Sequence, residues 1–305
     1  MKLAADYLVY LVVRIALCIV QALPLELSLR IAVPLLRALT EVFKIRADVI
    51  DDNLRHAFPN LTTKERAILA RRHWEHLLQM IIEIALAHRK IHLTNWRDHI
   101  HFKNKRRLVR TLLDRRPQVI VSGHYGNFEV GGMVFGLFGF PIFTISRPLD
   151  NPFLDAFFNQ QRSKNGLHML KKQGSAKEAE ALLSSGTSLL VLGDQAAGDR
   201  GCWVDFFGRP ASTHKAIALF GLTFAAPMIV AYCKRMDRTL HFELGCSGVV
   251  DPEVHREEYQ GVRELTCWYT QHLESIIRED PHQYWWAHRR WKGKPRERKR
   301  KRSAA

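Results

Sequence analysis

The segment HYGNFE runs from His124 to Glu129 and holds an imidazole and a carboxylate five positions apart. A carboxylate beside an imidazole fixes its tautomer and raises its basicity, which is what a general base acting on a hydroxyl requires. On one continuous helix the two would be separated by about 140° of rotation and would not meet. Here QVIVSG before the histidine reads as a buried strand and GNFEVGGMVFGLFG after it as a helix. The glycine at 126 sits between the two, so the chain can fold His124 back over the helical turn that carries Glu129. A glutamate in a first turn is also favoured by the helix dipole alone. On residue types, then, the segment is equally that of a capping glutamate beside an unrelated loop histidine.

Two more candidates share the position of His124 just after a strand: Arg147 after PIFTIS and Asp194 after TSLLVLG. In open α/β sheets ligands bind outside the carboxyl ends of the strands. Topology therefore predicts that His124, Arg147 and Asp194 converge.

The elements that must position them follow from the hydrophobic rhythm. FLDAFFNQQRSKNG, SAKEAEALLSS and HKAIALFGLTF read as helices, and PMIVAYCKR and LHFELG close as strands. Alternation of strands with helices predicts an α/β fold with a mixed, mainly parallel sheet flanked by helices on both faces. From Leu25 to about His99 the pattern is helical, with Thr62 and Glu65 forming a capping box before a long amphipathic run. VRELTCWYTQHLESIIRE is a last helix before an aromatic-basic tail. No repeat or low-complexity linker divides the chain. The expected organisation is a membrane-associated helical extension over 1–45, an α/β domain over 46–288 and a basic tail over 289–305.

The extension begins with YLVYLVVRIALCIV, closed by Pro24. Leu3–Leu23 reaches the roughly 20 residues a spanning helix needs, and no convincing small-residue cleavage site marks a signal peptide. Arg14 in mid-membrane would cost about 3 kcal/mol, so it should face something polar. Asp6, Arg14 and Gln21 fall within about a quarter-turn of one another. One thin polar line on an apolar cylinder suits a helix lying in the interface, or one spanning the bilayer against another element; a buried core helix is the remaining reading. Either membrane mode leaves the body on the cytosolic side, in keeping with Lys2, Arg30, Arg37, Lys44 and Arg46 nearby.

The chain's 46 Lys+Arg against 30 Asp+Glu give a formal charge of +16, which implies acidic partners: anionic lipid, nucleic acid or an acidic carrier protein. The five cysteines show no C-x-x-C pair and no companion histidine at zinc-ligand spacing, which argues against a disulfide framework or a structural metal and fits a reducing cytosol.

VSGHYGNFE, then SRPLDNP, LGDQ, FFGRPAST and YWWAHRRWK, with NLRHAFP upstream, is an ordered set spread over nearly the whole chain. It resembles the bacterial lipid A biosynthesis acyltransferases, within the wider H-x-x-x-x-D/E acyltransferase group. That resemblance implies transfer of a fatty acyl chain from an acyl-carrier-protein thioester to a hydroxyl of an anionic glycolipid, at the bacterial inner membrane, with no metal or cofactor. His124 would be the base and Glu129 would hold and polarise its ring. No acyl-enzyme is needed, in keeping with the lack of a G-x-S-x-G segment. Arg162 of QQRSKNG matches a functional arginine of the family and would contact acidic headgroup or carrier phosphate. Asp194 would orient His124 or the acceptor, Arg147 would serve the headgroup, and Asn127 joins them as a supporting or substrate-binding residue. The glutamate at 129 leans away from the related phosphatidylinositol mannoside acyltransferases, which usually carry aspartate there. The ten basic residues of Arg289–Arg302 exceed the family pattern and suit either a clamp on anionic membrane or a solubilising tail. A nucleic-acid-binding protein, a non-enzymatic membrane tether and a thioester hydrolase are the rival readings; no binding module for nucleic acid is found.

Overall fold

A computed structural model of the 305-residue chain describes residues 2–171, 175–255 and 257–294. Its centre is the strand the sequence marks most clearly, β2 (Val119–Ser122), every residue of which is buried. Alternate side chains of β2 feed two cores: Val119 and Val121 enter one, and Ile120 enters the other. That is the signature of a strand covered on both faces.

Around β2 the sheet has seven strands. In chain order these are β1 (Ile100–Lys103), β2, β3 (Ile142–Ser146), β4 (Leu167–Lys171), β5 (Leu189–Leu192), β8 (Met228–Arg235) and β9 (Phe242–Val250). In space they run β1-β9-β8-β2-β5-β3-β4. All neighbours are parallel except β8 and β9, which form an antiparallel pair. The sheet is thus mixed and mainly parallel, as the strand–helix alternation predicts. A separate antiparallel hairpin, β6 (Cys202–Phe206) and β7 (Arg209–Thr213), leaves the chain after β5.

The second core is covered by α4 (Thr63–Lys90), α5 (Lys105–Leu112) and α6 (Phe128–Leu137), which contribute Leu86, Leu108 and Val134. On the first face α3 (Ala47–Ala57), α8 (Ser175–Ser184), α9 (Lys215–Thr223) and α10 (Val262–Glu279) supply Leu54, Leu183, Ile217 and Leu273. The capping box of α4 forms as read: Thr62 Oγ1 accepts from the Glu65 amide, and the Glu65 carboxylate accepts from the Thr62 amide at 2.7 Å.

The N-terminal pair, α1 (Lys2–Ala22) and α2 (Leu25–Phe43), packs on α4, and α1 also packs on α7 (Pro152–Lys164). Only one stripe of α1 is half-buried: Asp6, Tyr10, Val13, Arg14, Leu17, Val20 and Gln21. It contains all three polar residues of the line. Asn151 Nδ2 donates to the Asp6 carbonyl at 2.7 Å. The Arg14 guanidinium lies 4.4 Å from the Phe157 ring centre and donates to Tyr10 Oη at 3.1 Å. Gln21 donates to the Ala85 carbonyl at 2.9 Å and accepts from Arg89 at 3.1 Å. Leu8, Val12, Ile15 and Ile19 on the other faces are exposed, and α1 is long and apolar enough to cross a membrane.

The sequence boundary at 289 falls inside the packed body. Arg290 is 2% exposed and donates to the Ser212 carbonyl and to Thr213 Oγ1, at 2.7 and 2.6 Å. Trp291 Nε1 donates to the Phe206 carbonyl. The rest of the basic tail, from 295 onward, lies outside the described residues.

Candidate active site

His124 sits where β2 ends, and three backbone hydrogen bonds fix the turn that presents it. The His124 carbonyl accepts from Trp285 N–H at 2.9 Å, Gly126 N–H donates to the Gln283 carbonyl at 3.0 Å, and Asn127 N–H donates to the Cys233 carbonyl at 2.7 Å. Gly126 has φ +61°, and a Cβ there would fall on the Cys233 carbonyl. Only glycine meets both demands.

The carboxylate on the imidazole is Asp194, not Glu129. Asp194 Oδ1 accepts from His124 Nδ1 at 2.8 Å, while Oδ2 accepts from the backbone N–H of His124 itself at 2.9 Å. The Asp194 charge is also felt by the buried Tyr284 hydroxyl, whose pKa is raised first by burial and then by that charge. Asp194 is 3% exposed and the His124 side chain 17%. Burial alone pushes the Asp194 carboxyl up, but the charge and hydrogen bonds of His124, with the charge of Arg290, hold it below the usual carboxylate range. Burial likewise pulls the His124 imidazole down. The charge and hydrogen bond of Asp194, and at longer range the charge of Glu129, reverse this and leave it raised. Since an ionised carboxylate only accepts, the neutral ring carries its proton on Nδ1 and leaves Nε2 bare.

Glu129 takes a different partner for a steric reason. It lies in the first turn of α6, with its carboxylate towards α7, where Arg162 meets it with two donors at 2.9 and 2.5 Å. The expected ring contact is replaced by this bidentate pair, and Glu129 acts on His124 through space. Arg162 correspondingly faces an internal carboxylate. Asn127 is fully buried: it caps α6 by accepting from Val130 N–H and donates to Glu83 at 3.0 Å, beneath the site. Glu83 is in turn paired with Arg235 at 2.6 Å, tying α4 to β8 under the catalytic turn. Arg147, expected to converge with His124 and Asp194, is instead 74% exposed and pairs with Asp150 on the same loop.

Glu129 and Arg162 line a cleft of about 530 Å³ between α1, α4, α6 and α7. Val13 and Leu17 of α1, Ile84 of α4, Met133 of α6, Phe157 and Phe158 of α7 and Leu167 of β4 make it largely apolar. Trp285 lines it and also packs edge-on against the His124 ring, with centroids 5.8 Å apart. An imidazole with one bare nitrogen, beside a cleft sized for a small hydrophobic ligand, is an arrangement for deprotonating a hydroxyl close to an aliphatic chain.

The sequence matches the family described as bacterial lipid A biosynthesis acyltransferase over residues 2–293. The chain belongs to that family. It is 24% identical over 258 residues to the lipid A biosynthesis palmitoleoyltransferase of Escherichia coli (strain K12), covering 83% of this chain and 80% of that protein. It is 23% identical over 285 residues to the lipid A biosynthesis lauroyltransferase of the same organism, covering 92% and 90%. Among solved structures it is similar, with a TM-score of 0.41 and 12% identity over 82% of this chain and 97% of the other, to the 1-acyl-sn-glycerophosphate acyltransferase PlsC from Thermotoga maritima. Membership of that family makes the chain an acyl-transfer enzyme. Sequence reasoning placed His124, Arg147 and Asp194 at one sheet edge and gave Asp194 an orienting role towards His124 or the acceptor, but it assigned the ring contact to Glu129, and the structure brings only His124 and Asp194 together. It gave no role to Gln195, Tyr284 or Trp285, although the segments LGDQ and YWWAHRRWK singled out their neighbourhoods.

Proposed function

We propose that this acyltransferase moves a fatty acyl chain from an acyl-carrier-protein thioester to a hydroxyl of a lipid A precursor, with His124 Nε2 as the general base. The supporting observation is the Asp194–His124 contact, which leaves the outward nitrogen bare beside an apolar cleft. The acceptor hydroxyl gives its proton to Nε2 while its oxygen attacks the thioester carbon. The tetrahedral species then expels the carrier thiolate, which recovers the proton. Asp194 holds the ring and stabilises the imidazolium that forms in between. The acyl chain occupies the cleft, with the Glu129–Arg162 pair bracing α6 against α7 on its lining.

The active site works at the cytosolic face of the inner membrane. The α1 stripe contacts α4 and α7 from Asp6 to Gln21, a span of about 22 Å at 1.5 Å per residue. A body that touches the helix over that length supports a helix lying along the bilayer surface, with its other faces in lipid. Purified enzyme given carrier-protein donors of several chain lengths and a panel of glycolipid acceptors, with products read by mass, tests the reading. Acylated lipid A precursor with wild type and none with His124→Ala is expected. Transfer only to phosphatidylinositol mannosides would refute the acceptor, and free fatty acid alone would refute the transferase.

A further inference from the structure

Residues of LGDQ and YWWAHRRWK that the base and the cleft do not use meet at the reacting centre. Gln195 Nε2 stands 3.2 Å from His124 Nε2. Because His124 Nδ1 donates to Asp194, Nε2 of the neutral ring offers only a lone pair, and only the NH₂ end of an amide can meet it. The tautomer thus fixes the amide orientation. The side-chain donor of Gln195 occupies the seat that an acceptor hydroxyl must take.

The turn carrying Gln195 is held by the C-terminal segment. Ala196 N–H donates to His288 Nε2 at 3.2 Å, so His288 keeps its own proton on Nδ1. The carbonyls of Trp286 and His288 accept from Asn53 Nδ2 at 2.7 and 2.8 Å, and Arg290 ties the same segment to Ser212 and Thr213. Of the other donors nearby, Arg162 presents Nε and Nη2 to Glu129, and Ala196 N–H is taken by His288.

We propose that Gln195 donates to the thioester oxygen as it becomes an oxyanion, and that His288 positions it through Ala196. The inference rests on His124 being the base. When the acceptor hydroxyl takes the seat on Nε2, its proton passes to Nε2 and its oxygen bonds to the thioester carbon. The carbonyl π pair moves onto the thioester oxygen, which lies two bonds from the attacking oxygen. An amide displaced from Nε2 by the hydroxyl remains within reach of that oxygen. On collapse the pair returns, the carbon–sulfur bond breaks, and the thiolate takes the proton from Nε2.

The test uses the full-length enzyme in membranes with purified acyl donor and acceptor. Gln195→Ala is expected to lower kcat by about 10²–10³-fold with little change in KM, the range for loss of one oxyanion donor. Gln195→Glu supplies no donor, so it is expected to be equally slow. It also places an anion against a ring already flanked by Asp194, Glu129 and His288, and so moves the acid limb of the pH profile upward. His288→Ala is expected to lower kcat in the same way, and His288→Gln, which restores an acceptor for Ala196 N–H, to recover most of it. A Gln195→Ala enzyme with kcat within about threefold of wild type, or with a loss confined to KM, overturns the proposal. So does a Gln195→Glu enzyme with an unmoved pH profile. His124→Ala assayed alongside separates the two claims. Activity that survives it refutes the base and the donor together, whereas activity lost there and kept in Gln195→Ala refutes the donor alone.

Discussion

Replacing Asp194 by asparagine changes almost no volume but reverses the chemistry of the ring. Both carboxylate oxygens accept from His124, one from Nδ1 and one from its backbone N–H. The backbone group can only donate, so the single amide oxygen of asparagine must go to it. The amide NH₂ is left facing Nδ1, which must then accept, and the ring proton moves to Nε2. The nitrogen that should take the hydroxyl proton is now itself protonated. The equivalent change in a serine-protease triad costs about 10⁴ in rate, or about 5 kcal/mol at 1.36 kcal/mol per decade. Asp194→Asn should cost a similar factor in kcat under single-turnover conditions, with the melting temperature checked in parallel. Glu129→Gln should also slow transfer, by loosening α6 from α7 through Arg162, but it leaves Nε2 bare. Only Asp194→Asn should therefore abolish the ionisation of a neutral base from the pH profile. An Asp194→Asn enzyme retaining more than about a tenth of wild-type kcat would refute the tautomer argument.

Because Asp194 raises the His124 pKa, and the base must be neutral, activity is lost as pH falls through that raised value. The acid limb of kcat/KM against pH should lie above the ordinary histidine value of about 6.5, and a limb at or below it contradicts the reading. Arg235→Met leaves the fully buried Glu83 carboxylate without its ion partner and should cost about 3–5 kcal/mol of stability; Glu83→Leu with Arg235→Met should recover only part of it, because Asn127 Nδ2 and Leu240 N–H then lose their acceptor. Thermal or denaturant melts check both, and a single variant as stable as wild type would show that the pair contributes little. Leu17→Trp fills the cleft from α1 and should shift the products towards shorter chains. Ile15→Trp, at a position 60% exposed on the face of α1 away from the cleft, should not; equal product profiles would place the chain elsewhere.

The central sheet was readable because β2 and β5 are short apolar runs at turns, and helices with period 3.6 separate them. The strands that were missed have physical reasons to be silent. β1 and β4 are the sheet's two edges; IHFK mixes histidine and lysine with apolar residues because His101 and Lys103 are exposed, and LHMLK carries a half-buried histidine that breaks its apolar run. In the β6–β7 hairpin Pro210 breaks the pattern, and the pairing is held from outside by Arg290, 77 residues beyond Thr213. The polar line on α1 was legible as a line, but what it faces was not, since Asn151, Phe157 and Arg89 come from distant segments. His124 and Asp194 could be placed at the same edge by topology alone. Their hydrogen bond spans 70 positions, and no local spacing encodes it.

The five-residue spacing of HYGNFE acquires a different meaning once the two carboxylates are separated. An anion that touches the ring must hold it against rotation as well as polarise it, and Asp194 does so by binding the ring and the backbone of the same residue. A glutamate on the following helix could not reach both, because Asn127 and Phe128 lie between and their backbone turns into α6. The spacing instead places Glu129 in the first turn of α6, on the cleft lining, where Arg162 from α7 pairs with it. The strand end thus sets the imidazole, and the helix start sets one wall of the cleft. The Gly126 turn joins the two, so the chain that carries the ring held by Asp194 runs directly into the helix that lines the cleft.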